Sequence, residues 1–359
     1  MNAAGRDRAD GGRRSRRARL RGWIVNLLLV VLSIAITCLA CEGIARLAIA
    51  PRSSGIGLGI LDARFHARHP VRGAEPVSAG GPGDRPRILF LGDSFTEGQG
   101  VDPAQTFPAR VAAALGDGYA VETSARSGAD TRDERALLAS VLLRSRSPTA
   151  LVVHQYFGND IAYLSSGPQV PRPGWLGRQL LALSEVSYLA DYLYQPIFLR
   201  SFGPAYVKGL FRAYRDDRRL ATHLRDLDQL WTTARGAGSA VLFVVFPFLN
   251  SHVLEGVPLF ELSRQAYIAP LADHFLATCR PGDGLLDVAA LIGAQPDAAE
   301  MSRWTANAVD PHPSAALHAL VAQQIVAFVT GRPDRVVACP RQAPVRLRRS
   351  PPASDRGAS

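Results

Sequence analysis

The sequence predicts an α/β domain, a parallel sheet covered by helices on both faces, preceded by one membrane-spanning helix. Three observations carry that expectation. Residues 23–41 form an uncharged apolar run, short apolar runs of strand length alternate with helix-length stretches beyond residue 87, and turn-forming residues gather between these regions. Alternating strand and helix patterns imply βαβ units, which build a parallel sheet buried on both faces.

With 359 residues, 47% of them hydrophobic, the chain can bury a full core. Its formal net charge of +10 is concentrated in two arms. Residues 1–22 hold eight Arg against two Asp (+6) and residues 332–359 hold seven Arg against two Asp (+5), which leaves the stretch between them near −1. The folded part therefore has no net basic charge for phosphate contacts, and nucleic acid is not expected as a partner. Lys208 is the only lysine beside forty arginines, a bias that fits a GC-rich genome better than forty selected guanidinium contacts.

Residues 1–22 read as a basic cytoplasmic arm. Residues 23–50 follow as a transmembrane anchor, because the 19-residue run WIVNLLLVVLSIAITCLAC has the length that a helix needs to cross a bilayer core. Arg-rich flanks stay in the cytoplasm, so the chain beyond about residue 50 is expected outside the cytoplasmic membrane, periplasmic or extracellular, on a single-pass anchor. A cleaved signal peptide is the competing reading. Its apolar core is usually shorter, and here the best small-residue site, Ala48-Ile49-Ala50, is followed by Pro51.

Residues 51–86 are rich in Gly, Pro and Arg and read as a linker. From there to 330 extends the predicted domain, with strands at 87–91, 119–123, 150–156, 240–247 and 285–287. Helices are expected at 108–115, 132–144, 217–235, 259–279 and 315–329. The alternation lapses across 161–216, an insertion with Pro168, Pro171 and Pro173 and an aromatic-rich amphipathic part. Extra helices over the sheet edge are the favoured reading of it, with a lid or a membrane-lying helix as the alternative. Residues 331–359 read as a disordered basic tail. Cys279 and Cys339, the two cysteines beyond the anchor, could pair, since an exported compartment permits disulfides.

The first strand runs into Leu91-Gly92-Asp93-Ser94-Phe95-Thr96-Glu97-Gly98, which puts a serine at the carboxyl end of a strand, where open parallel sheets bind ligands. A serine hydroxyl is a weak nucleophile until a base takes its proton, so the chemistry requires a histidine oriented by a carboxylate. Asp310-Pro311-His312 supplies both just before the last helix pattern. Asp93 and Asp160 are expected to hold loop backbone, His154 to be a satisfied core residue, and His252 to be a solvated loop residue. No His/Asp/Glu cluster stands at metal-ligand spacing and no phosphate-binding glycine motif occurs, so no cofactor or metal is expected.

The G-D-S block, a glycine after the second strand, Gly158-Asn159-Asp160 after the third and Asp-His near the end resemble, in order and spacing, the SGNH (GDSL) hydrolase superfamily. The likeness is closest to bacterial members that begin with a single membrane span, and it covers about residues 87–330. It implies a flavodoxin-like three-layer fold. It further implies a catalytic set of Ser94, Asp310 and His312, with an oxyanion hole made by Ser94 N–H, Gly128 N–H and the Asn159 side chain. Two departures stand out: Thr123 occupies a position often held by Asn, and Asp310 precedes His312 by two residues where three is common. The tighter pair resembles alginate O-acetyltransferase relatives. The expected function is thus serine-dependent hydrolysis of an O-acyl ester; an acyltransferase modifying a cell-envelope glycan is the alternative, and a non-catalytic polysaccharide-binding relative a third.

Overall fold

The computed structural model describes residues 4–49, 59–61, 63–64, 75–76, 85–144, 148–165, 174–201, 203–250, 252–293, 296–307 and 310–339. Most of the expected linker and the last twenty residues of the expected tail lie outside the described residues. The chain divides into two compact units, residues 1–65 with 172–198, and residues 66–171 with 199–359.

In the first unit the helix Ala4–Ile44 continues into a π-helical turn, Ala45–Ile49. Its part from Arg19 to Ile49 is long and apolar enough to cross a membrane, and most of its large apolar side chains, from Trp23 to Leu47, are exposed. Part of the expected insertion belongs to this unit, where it forms the helices Trp175–Ser184 and Tyr188–Ser201. The first N–H groups of a helix have no intrahelical acceptor and favour a negative charge. Glu42 supplies one: its carboxylate accepts from Ser187 Oγ (2.7 Å), Tyr188 N–H (3.2 Å) and Leu189 N–H (3.0 Å). Asp191 accepts in turn from Leu61 N–H at 2.9 Å.

The second unit carries the sheet. Its strands are β1 (Glu75–Pro76), β2 (Arg87–Gly92), β3 (Ala120–Ala125), β4 (Thr149–Tyr156), β5 (Ala240–Val245), the hairpin of β6 (Val253–Leu254) and β7 (Val257–Pro258), β8 (Gly284–Asp287), the pair β9 (Thr305–Asn307) and β10 (Asp310–Pro313), and β11 (Val337–Ala338). The seven-stranded sheet has the order β1-β3-β2-β4-β5-β8-β11. The five central strands are parallel and the short edge strands β1 and β11 antiparallel. All six residues of β2 are buried, as an apolar run covered on both faces requires.

Helices Phe107–Leu115 and Ala315–Val329 pack together on one face, and Thr131–Arg144 packs with Asp217–Gly236 on the other. This follows from the right-handedness of parallel crossovers: the chain steps from β2 to β3 in one direction, then to β4 on the other side of β2, and the covering helices change face. The strand order thus reverses at β2, the kind of switch point outside whose carboxyl strand ends open α/β sheets bind ligands.

Two segments differ from expectation. The stretch expected as one helix over 259–279 is interrupted by a π-helical turn, Arg264–Ile268, before the helix Ala269–Thr278. Pro270 lacks the N–H that a continuous helix would use, and the wider turn absorbs the break. The domain also continues past residue 330, because β11 pairs with β8 and Cys339 bonds to Cys279. A two-residue strand beside prolines and arginines has too little apolar pattern to separate it from a tail.

Candidate active site

Gly92 ends β2 where a side chain has no room: a Cβ there would lie 2.3 Å from Thr96 Oγ1 and 2.4 Å from Gln155 Oε1. That close approach lets the chain turn at once into the short helix Ser94–Glu97. Asp93 caps it, its Oδ1 accepting from Phe95 N–H at 2.9 Å. Gln155, on β4, accepts from Asp93 N–H (3.1 Å) and from Thr96 Oγ1 (2.9 Å). Ser94 is thereby fixed at the first helical position above the sheet.

The histidine arrives from 218 residues away. His312 Nε2 lies 2.9 Å from Ser94 Oγ, and His312 Nδ1 lies 2.5 Å from Asp310 Oδ1. Asp310 is fully buried, and its own N–H donates to Asn307 Oδ1 at 3.0 Å across the β9–β10 pair. The His312 ring packs edge-on against Phe95, 5.4 Å between centroids, and Phe95 in turn stacks on Phe157 at 4.4 Å. With Nδ1–H donated to the carboxylate, Nε2 is left as acceptor for the serine proton, the arrangement that activates a hydroxyl.

Gly128 and Asn159 lie on the turns that follow β3 and β4, the two strands flanking β2. Gly128 takes a left-handed conformation, φ +72°, and a Cβ built on it would meet nothing within 4 Å. Its need for glycine is conformational, since L side chains rarely adopt that φ. The turn before it is tied down by Glu97, which accepts from Ser127 N–H at 2.9 Å, and by Gln99, which accepts from Ser127 Oγ at 3.2 Å. All five sequence-predicted site residues therefore lie at one edge of the sheet.

The neighbouring acids hold backbone, as the sequence suggested. Asp160 accepts from Phe157 N–H at 2.9 Å, and its own carbonyl accepts from Thr131 N–H at 3.2 Å. Burial pushes the Asp93 carboxyl up, opposed by the Phe95 N–H and by the neighbouring His312 and Asn159. Asp160 is pushed up by burial and then by the charge of Asp93. His154 is a core residue: its Nδ1 accepts from Trp231 Nε1–H (3.0 Å), so its Nε2 donates to Glu134 (2.9 Å), and burial lowers its pKa to about 3. His252 is exposed. Sequence reasoning missed Gln155, Glu97 and Gln99 as supports; only Gln155, a polar residue inside an apolar strand run, carried a signal.

A serine hydroxyl is thus hydrogen-bonded to an imidazole, itself held by a buried carboxylate, at the switch point of a doubly wound α/β sheet. Residues 90–320 match the model of the GDSL-like lipase/acylhydrolase family, and the chain belongs to that family. No curated protein matches it. Among solved structures it is similar to Axe2, an acetylxylan esterase from Geobacillus stearothermophilus, at 15% identity with 69% of this chain and 95% of that chain covered and a TM-score of 0.43. It is likewise similar to Est24, a carbohydrate acetylesterase from Sinorhizobium meliloti, at 19% identity with 69% and 99% covered and a TM-score of 0.39. A third similar structure is a member of the lipolytic G-D-S-L family from Veillonella parvula DSM 2008, at 13% identity, 68% and 96% covered, TM-score 0.39.

Proposed function

We propose that this chain hydrolyses an O-acyl ester through an acyl-serine intermediate. The observation that carries the reading is the continuous line from Ser94 Oγ through the His312 ring to Asp310, with contacts of 2.9 and 2.5 Å. His312 takes the Ser94 proton as Oγ bonds to the acyl carbon. The resulting oxyanion is held by the N–H groups of Ser94 and Gly128 and by the Asn159 amide; each such donor contributes on the order of 10² to 10³ in turnover. The proton on His312 then passes to the departing alkoxide, which leaves as the alcohol. Water repeats the cycle: His312 deprotonates it, the acid leaves, and Ser94 recovers its proton.

In this reading the reaction takes place outside the cytoplasmic membrane, on a single-pass anchor over residues 23–50. Two observations support this: the Arg-rich flank before the apolar helix, and the Cys279–Cys339 disulfide, a bond that persists in oxidising compartments.

Turnover of p-nitrophenyl esters of short and long acyl chains by the full chain in detergent, with and without a glycan acceptor, tests the proposal. Release of free acid at a rate that the acceptor leaves unchanged is expected. Acylated glycan as the main product would replace hydrolysis with acyl transfer, and no turnover on any ester would contradict both.

A further inference from the structure

The helices of residues 175–198 carry an apolar surface that no described residue covers. Trp175, Leu176, Leu183, Val186, Leu193 and Ile197 are between 48% and 68% exposed. Leu176 and Leu183 stand two turns apart, and Leu193 and Ile197 one turn apart, so each pair shares a helix face. A patch of this kind on a surface marks a contact.

The same unit gives the height of this patch. Glu42 is the residue immediately after the apolar run 23–41, and it accepts hydrogen bonds from Ser187, Tyr188 and Leu189, the groups that join the two helices. Arg46, one turn further on, places its guanidinium 5.5 Å from the Tyr188 ring centroid. The junction of the helix pair therefore sits where the N-terminal helix leaves hydrocarbon. A carboxylate at that boundary receives its hydrogen bonds from protein groups, so it need not draw water into the interface.

We infer that residues 175–198 form a second membrane contact, a helix pair lying in the outer interface of the bilayer that the N-terminal helix crosses. The exposed leucines and Ile197 enter the acyl boundary. Trp175 and Tyr188 sit at headgroup depth, where amphipathic aromatic rings concentrate. The inference rests on reading the N-terminal helix as a span, and it selects lipid because Glu42 ties the junction of the helix pair to the end of that helix's exposed apolar run.

Nitroxide accessibility in the full chain tests it. Labels are introduced singly as Leu176→Cys, Leu183→Cys, Leu193→Cys and Ile197→Cys in a Cys38→Ser, Cys41→Ser background that keeps the disulfide. The protein is held in nanodiscs of phosphatidylethanolamine and phosphatidylglycerol, with Leu29→Cys as the mid-span reference and His252→Cys as the solvent reference. Collision with a water-soluble nickel chelate is expected to fall severalfold below that at residue 252 at all four positions, while collision with oxygen rises toward that at residue 29. Nickel accessibility equal to residue 252, with residue 29 in lipid, overturns the interfacial helix pair alone. Low accessibility to both reagents means that protein, such as a second copy of the chain, covers the patch, and overturns it too. A water-exposed residue 29 overturns the span itself and the inference with it.

Discussion

Asp310 Oδ1 receives two hydrogen bonds from His312, one from the backbone N–H at 3.0 Å and one from the ring Nδ1 at 2.5 Å. The two-residue spacing makes this possible, because an aspartate readily accepts from the N–H two positions on and the ring then folds back onto the same oxygen. Asp310→Asn keeps the shape but removes the charge that fixes the imidazole tautomer. Its kcat on a p-nitrophenyl ester should fall on the order of 10³- to 10⁴-fold with KM little changed. Near-normal turnover would remove Asp310 from the site.

Glu97 and Ser127 make a second informative pair, since the carboxylate holds the turn that presents Gly128. Glu97→Ala should lower kcat roughly 10- to 10²-fold, because a loosened donor loses most of what an aimed one supplies. A change confined to KM would show that this turn contacts substrate without serving the oxyanion.

Most of the central strands were legible because each holds a short run of apolar residues between turn signals, as in Ile88–Leu91, all four of them fully buried. Ser94 and His312 were legible from local motifs: a serine directly after a strand, and an Asp-x-His before a helix. What was not legible depends on distant partners. Gln155 is polar in a buried strand, yet only the fold puts it under Asp93 and Thr96. The grouping of residues 172–198 with the N-terminal helix rests on Glu42, some 145 positions away from Ser187. Strand β11 is two residues long, too short to show any alternation.

His318 lends itself to a pH test. Its Nδ1 accepts from Phe107 N–H at 3.1 Å, and burial first, then the neighbouring Arg110 and His312, lower its pKa from 6.5 to about 3. The folded value lies below the unfolded one, so the unfolded chain binds the proton first. The stability that His318 confers is complete above pH 6.5 and is lost as pH falls toward 3. Relative to His318→Asn, the wild-type chain should therefore lose up to ~1.4 kcal/mol per pH unit between about pH 6 and 4. Urea unfolding of both proteins across that range measures it; parallel curves would contradict a neutral buried imidazole.

The Cys279–Cys339 bond closes a loop across 60 positions and secures β11 against β8. Cys339→Ala should cost about 2 to 4 kcal/mol of stability and expose residues after 330 to protease, with ester turnover kept. Free thiols at both positions in protein isolated from its native cells without reductant would show that the bond does not form there.

The most direct test of the account is covalent. The full chain is treated with a fluorophosphonate and digested, and the adduct is located by mass spectrometry. One adduct on Ser94 is expected. It should vanish in Ser94→Ala, whose stability should change by no more than about 1 kcal/mol because a single hydrogen-bonding hydroxyl is lost, and it should be strongly slowed in His312→Ala. Absence of any adduct on Ser94 in the wild-type chain, or labelling undiminished by loss of His312, would contradict the proposal that this hydroxyl is activated by that imidazole.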